Sequence, residues 1–241
     1  RVRRAGIPRI NVDLIAGLPG QNRDSWWESL SVLADTAVED ASIYMLEIDE
    51  GSRLGREVTS GGLKYYAPQV PTDDVIAEMY SEAVDSLCGR GLTQYEISNF
   101  ASDRRESLHN LKYWRREPYL GLGLDAHSML RTRSGTPLRF ATTDELEPYL
   151  ALPGWNSPRR LSREEELEEA WFLGLRLNTG ADLCALRTEF GRAAIDSFEP
   201  VLTDLECDGL ITWSSNRVAL TPRGRLVSNE VFECFLTVPA A

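Results

Sequence analysis

The sequence has only two histidines, His109 and His127, and four cysteines, Cys88, Cys184, Cys207 and Cys234. The cysteines share no C-x-x-C or finger spacing, so they offer neither a local metal motif nor a disulfide framework. Thiols isolated in this way read as reduced residues of a cytoplasmic protein. Positive charge is also scarce. Against 37 Asp and Glu stand 26 Lys and Arg, a net charge of −11, which disfavours unassisted binding to nucleic acid or anionic lipid. No apolar run nears the roughly 20 residues of a membrane span, which leaves only peripheral association open. There is no P-loop, no H-x-x-x-H zinc pair and no Ser/His/Asp arrangement. No signal-peptide segment opens the chain. Arg1 to Ala5 read as the end of a helix capped by Gly6, with Pro8 beyond. The sequence is therefore expected to be the C-terminal part of a longer protein.

What is present is an α/β pattern followed by a helical one. Arg9–Ala16 is apolar and β-branched around a single carboxylate, Asp13, as suits a strand buried on both faces of a parallel sheet. Gln21–Val38 follows as a helix with Trp26, Leu30 and Leu33 inward and Asp24 or Ser25 as its N-cap. Ala41–Ile48 completes a right-handed βαβ unit. An acid inside a buried strand costs several kcal/mol unless paired, so Asp13 is either hydrogen-bonded structurally or reaching a ligand. Residues 49–71 are glycine-rich and read as a mobile flap. Thr72 then caps a helix with Val75, Ile76, Met79, Tyr80, Ala83, Val84 and Leu87 at helical spacing, ended by Gly89 or Gly91. Thr93–Ser98 reads as a strand, 99–107 as a polar loop and His109–Arg116 as a short helix. Tyr119–Leu130 and Leu138–Thr142 read as strands.

LPGWNSP, residues 152–158, forms a break, which divides the chain into regions 1–152 and 158–241. The second region opens on a capping-box signature, Ser162 with Glu165. Helices over 182–190 and 194–207, a hairpin around Ser214–Asn216 and a last helix from Thr221 to Phe235 describe a small winged-helix-like α+β module. Its carboxylates argue for packing or a protein partner rather than DNA.

Both histidines lie between Gln94 and Leu130 among Tyr95, Phe100, Tyr113, Trp114 and Tyr119. His109 and Tyr113, four apart, share a helix face. A lone histidine is commonly structural. One flanked by aromatic faces can also be an axial ligand of haem iron, with the rings against the macrocycle. His127 follows the small-residue run LGLGLDA, where missing side chains let a ligand approach the backbone.

Several segments carry a family resemblance: NVDLIAGLPGQ (Asn11–Gln21), SIYMLEIDEGS (Ser42–Ser52), YEISNFA (Tyr95–Ala101), HNLKYW (His109–Trp114), YLGLGLDAHS (Tyr119–Ser128) and the tail Leu220–Leu236. Together they resemble the HemW haem-chaperone branch of the radical S-adenosylmethionine group, related to oxygen-independent coproporphyrinogen III oxidase. The H-N-x-x-Y-W form resembles that branch and not the oxidase. The resemblance implies the C-terminal portion of a partial TIM-like radical SAM barrel, whose last two strands open this chain, followed by the winged-helix-like domain. It implies S-adenosylmethionine contacts at Asp13, Glu47 and His127. By the same carry-over, haem contacts fall at His109, Tyr113 and Trp114, with His109 the candidate iron ligand. The family's C-x-x-x-C-x-x-C motif for a 4Fe-4S cluster is not in this chain, and none of its four cysteines can replace it.

Three functions compete at this stage. The first is a chaperone that binds haem and delivers it to acceptor proteins of the respiratory chain. The second is a coproporphyrinogen III oxidase of porphyrin biosynthesis. The third is a winged-helix regulator, which the acidic tail disfavours. Two barrel strands alone would leave an apolar edge at Val12 and Leu14, and the chain is expected to be poorly stable and prone to aggregate.

Overall fold

The computed structural model describes residues 2–7, 9–36, 38–151 and 154–236. Its contacts divide the chain into two compact units, 1–107 and 108–241. The composition break at 152–158 falls inside the second unit, and Leu152 and Pro153 themselves lie outside the described residues.

In the first unit β1 (Asn11–Ala16) pairs in parallel with β2 (Asp40–Met45) through α1 (Arg23–Thr36), in register from Asn11↔Asp40 to Ala16↔Met45. This is the expected βαβ unit. One sheet face is apolar: Ala41 and Ile43 are fully buried there, as are Trp26, Leu30 and Leu33 of α1. The Trp26 indole donates to the Met79 carbonyl at 2.8 Å, tying α1 to the helix that covers the same face. The N-cap of α1 is Asn22, which accepts from Ser25 N at 3.0 Å, and not Asp24 or Ser25 as expected. Asn22 wins because it precedes the first turn and exchanges bonds with the Ser25 hydroxyl in both directions.

The expected flap is structured. Ser52 caps α2 (Arg53–Ser60), and Gly61 closes it in the left-handed region at φ 68. A further helical turn, Lys64–Gln69, holds Tyr65 and Tyr66 at φ 56 and 57. Glycine frequency suggested mobility, but Gly55 is needed for close approach to the Asp49 backbone. After α3 (Asp73–Cys88), β3 (Thr93–Gln94) and β4 (Asn99–Ala101) form a tight hairpin where one strand and a loop were expected. β4 runs antiparallel to β2, giving a mixed sheet in the order β1-β2-β4-β3. β1 lies at its edge with Val12 and Leu14 half-buried. Asp40, paired with Arg9 at 3.2 Å, has its pKa raised chiefly by burial, with Arg9 pulling it down. The stability associated with that raised value is present in acid and lost as pH climbs through it.

The second unit begins with α4 (Leu108–Trp114) and an antiparallel sheet of β5 (His127–Arg131) and β6 (Pro137–Ala141). α5 (Leu146–Ala151) precedes β7 (Arg159–Arg160), which adds to β6. The Tyr119–Leu130 stretch is a strand only from His127. Before it, Tyr119 makes a single bridge to Met129. Then come α6 (Arg163–Arg176), β8 (Ala181–Asp182), α7 (Leu183–Phe190), α8 (Arg192–Asp196), α9 (Glu199–Cys207), β9 (Ile211–Trp213), β10 (Arg217–Leu220), α10 (Pro222–Leu226) and α11 (Ser228–Glu233). The expected single helices over 194–207 and 221–235 are each broken, the second at Val227 with φ −121. The β8-β10-β9 sheet with its helices is the expected winged-helix-like arrangement. Its core is aromatic: Trp171 stacks on Phe235 at 4.7 Å and meets Phe198 at 5.4 Å.

Ser162 and Glu165 close the capping box in both directions at the start of α6. The Ser162 N–H and then Arg159 lower the Glu165 pKa, so this contribution is present above the unfolded carboxyl value and lost as pH falls through the depressed one. Ser162→Ala is expected to cost about 1 kcal/mol in urea unfolding. An unchanged midpoint would show that the box adds nothing.

Candidate functional site

In the first unit the sheet face opposite the helices is polar. Parallel register puts Asn11 and Asp13 on that face, with Ser42 and Asn99 across from Asp13. The Asn11 amide donates to the Asp13 carboxylate and, at 2.9 Å, to the Ser42 hydroxyl. Ser42 donates to Asn99 Oδ1 at 2.8 Å, and Asn99 Nδ2 donates to Glu96. Asp13 is exposed, whereas Glu96 is fully buried. Asp13 therefore does not sit between two packed layers. It is both structurally hydrogen-bonded and open to a ligand, which joins the two readings kept apart in the sequence. Asn11, Ser42, Asn99 and Glu96 were missed there. The i, i+2 spacing of Asn11 and Asp13 was the available signal.

The Gly17–Gly20 turn follows the carboxyl end of β1. Gln21 clamps it, its side-chain oxygen accepting from Gly17 N at 2.6 Å and Leu18 N at 3.2 Å, and its amide donating to the Ile15 carbonyl. Gly17 adopts φ 97, with Ile76 carbons 2.6 Å from where a Cβ would sit, so any side chain there would strain the backbone and displace Ile76. Glu47 is exposed just beyond β2. Asp13 and Glu47 thus belong to one unit, with Glu47 past the carboxyl end of its strand, where α/β folds place ligands.

His109, Tyr113, Trp114 and His127 belong to the second unit. His109 is exposed on α4. The Tyr113 hydroxyl lies 3.3 Å from His109 Nε2, and the two rings meet edge-on at 5.1 Å. Tyr119 stands edge-on to Tyr113 at 4.6 Å. Its hydroxyl accepts from Arg139, which also pairs with Glu169 at 2.7 Å. A chain of contacts thus runs from His109 back to α6, and Tyr119, Arg139 and Glu169 are further residues the motif alone did not reveal. Trp114 faces elsewhere: the Arg176 guanidinium lies over its ring at 4.4 Å, and its indole nitrogen is buried. One face of that ring is therefore already covered, while Tyr113 leans on His109.

His127 is exposed, with Nε2 3.7 Å from Asp125 Oδ1. The glycines before it have different uses. Gly121 is small because the His127 carbonyl occupies the place of its Cβ, whereas Gly123, at φ 121, opens onto free space. Close approach at Gly121 is thus the protein's own backbone rather than a ligand. Beside Gly123 lies a cleft of about 150 Å³ lined by Leu122, Thr142, Tyr149 and Trp155. That is below the ~300 Å³ of a typical enclosing ligand site. Leu108 is 74% and Leu122 78% exposed, so apolar surface is offered openly on this unit. A planar apolar ligand would lie on such a surface and not inside a closed pocket.

Among the described residues no group of three or more His, Cys, Asp or Glu is placed to hold a metal ion. All four cysteines are free and exposed. They do not fit a 4Fe-4S cluster. No described helix is long and apolar enough to cross a membrane.

Residues 161–227 match the family model described as HemN C-terminal domain. The chain is 34% identical to a heme chaperone HemW of Bacillus subtilis, over 98% of this chain and 61% of that one. It is 36% identical to a mitochondrial radical S-adenosyl methionine domain-containing protein 1 of Danio rerio, over 71% of this chain and 39% of that one. Among solved structures, coproporphyrinogen III oxidase (HemN) of Escherichia coli, titled a radical SAM enzyme, aligns with TM-score 0.74 at 19% identity. That alignment covers 98% of this chain and 56% of the other. The fold is therefore that of this radical SAM enzyme over the part aligned. The chain spans about three fifths or less of the length of these relatives.

Proposed function

From the premise that the chain is a HemW-like protein carrying a HemN C-terminal domain, we propose that it is the haem-holding part of a chaperone that passes haem to acceptor proteins in the cytoplasm. Respiratory-chain proteins are the proposed acceptors. The observation that carries the reading is His109, an exposed imidazole held by Tyr113 on a unit that also presents open apolar side chains. A cargo must be released, and an open face with a single imidazole suits transfer better than a sealed pocket would. In this reading His109 meets the iron and the Tyr113 ring takes one part of the porphyrin plane. Trp114, covered on one side by Arg176, adds contact through its other side and anchors α4. His127 is the second imidazole of the same unit and the next candidate for the iron.

S-adenosylmethionine is proposed as the cofactor of the first unit, with Asp13 accepting its polar hydrogens and Glu47 beside the carboxyl end of β2. Their exposure on one unit fits a polar, cationic ligand. In radical chemistry that cofactor is a source of an adenosyl radical once reduced. The cysteines of this chain offer no cluster to reduce it, and no radical step is assigned to its residues.

The alternative, oxidation of a coproporphyrinogen, shares the fold but not the histidine motif. Titration of the chain with haem separates the readings. A saturable Soret band with one haem per chain is expected. Absence of saturable binding, together with conversion of coproporphyrinogen by the holoprotein, would replace the chaperone by the oxidase.

A further inference from the structure

We infer that Asn11, Ser42 and Asn99 are positioning residues for Asp13. A one-way row of hydrogen bonds, anchored on buried Glu96, turns the Asn11 amide so that its N–H group holds the Asp13 carboxylate toward the cofactor. The inference rests on the proposal that Asp13 contacts S-adenosylmethionine.

The direction of the row follows from its buried end. Glu96 Oε1 accepts from the backbone N–H of Ser98 at 2.9 Å and from Asn99 Nδ2. A backbone N–H cannot be reversed, so that oxygen is an acceptor, and the Asn99 amide must turn its nitrogen toward it. Asn99 Oδ1 is then left facing Ser42, whose single hydroxyl hydrogen is given to it at 2.8 Å. With its hydrogen committed, Ser42 can only accept from Asn11 Nδ2, at 2.9 Å. The second hydrogen of that nitrogen points to Asp13. No link can flip without leaving a buried group unpaired.

The cost of such a row shows that packing alone does not account for it. Glu96 is 0%, Ser42 1% and Asn99 6% exposed. Buried polar groups lower stability unless every member is satisfied, and an apolar face would have closed this hairpin against β2 more simply. Only the far end, Asn11 and Asp13, reaches solvent. The row thus transmits a fixed orientation from the interior to its one exposed carboxylate, that of Asp13. A pre-turned acceptor loses less freedom when it takes an ammonium or hydroxyl hydrogen of the cofactor.

The test is a double-mutant cycle, with S-adenosylmethionine titrated calorimetrically into the holoprotein and its variants. Ser42 is too buried to touch the ligand, so its effect must pass through Asn11 and Asp13. Ser42→Ala and, separately, Asn11→Ala are expected to weaken binding about fivefold in the otherwise native protein, and Asp13→Ala about tenfold or more. In the Asp13→Ala background each of the other two changes is expected to have no further effect. Equal losses in both backgrounds, or no loss in the native one, would overturn the positioning role while leaving Asp13 a contact. An Asp13→Ala protein that binds as tightly as the native one would remove Asp13 from the cofactor site, and this inference with it. Asn11 is exposed and its replacement spares the interior, so a Ser42→Ala protein that fails to fold does not interrupt the test.

Discussion

Replacing His109 by alanine is expected to change the Soret spectrum of the haem complex and to lower haem retention. The loss should be at least the roughly 10- to 100-fold that removing a mere hydrogen-bond partner of a metal ligand costs. His109 is exposed on α4, and its side-chain contacts among the described residues are those with Tyr113. The substitution should therefore leave the unfolding midpoint within about 0.5 kcal/mol of native, so a lost spectrum could not be ascribed to unfolding. Tyr113→Leu should behave differently, weakening binding by contact area while the spectrum keeps its ligand-field signature. The pair of variants thus separates coordination from packing. Native spectrum and affinity in the His109→Ala protein would take the main support from the chaperone reading. The same titration on His127→Ala would then ask whether the other imidazole is the ligand.

The elements that were legible are those whose burial follows a simple period. β1 and β2 read as strands because their apolar, β-branched runs are nearly continuous, although in the fold Val12, Leu14, Ala41 and Ile43 line a single face. α1 and α3 read as helices because Trp26, Leu30, Met79 and Ala83 recur at helical spacing. The capping box of α6 was legible because Ser162 and Glu165 are both its sequence signature and its chemistry. Where reading failed, long-range pairing decided. β3 and β4 are too short to show alternation, and only the pairing of β4 with β2 and β3 makes Asn99–Ala101 a strand. The 49–71 stretch has helix-forming residues between its glycines, and composition hid them. For the site, motifs located Asp13 and His109, but nothing local in the sequence tells that Glu96, 83 positions beyond Asp13, reaches it through Asn99, Ser42 and Asn11. Likewise Arg176 over Trp114 is visible only once α6 is placed.

The largest expected loss of stability comes from Trp26→Ala. Trp26 is fully buried, and its indole nitrogen donates to the Met79 carbonyl, across 53 residues of sequence. Its removal leaves a cavity between α1 and α3 and orphans that carbonyl from its side-chain donor. Loss of the transferred area and the unfilled volume is expected to cost about 3–5 kcal/mol. A whole domain commonly has only about 5–15 kcal/mol to lose, so a large part of the folding free energy of the first unit is at stake. The second unit has its own core, built on Trp171 and Phe235. Denaturant unfolding of the variant, followed by S-adenosylmethionine binding and by the haem spectrum in parallel, should therefore show the first signal lost at low denaturant while the second persists. The first follows Asp13 and the sheet that α1 supports. The second follows His109 and the fold around α6. Joint loss of both signals at one midpoint would mean that the two units unfold together. A midpoint shift worth less than about 1 kcal/mol would mean that the neighbours of Trp26 collapse into its space.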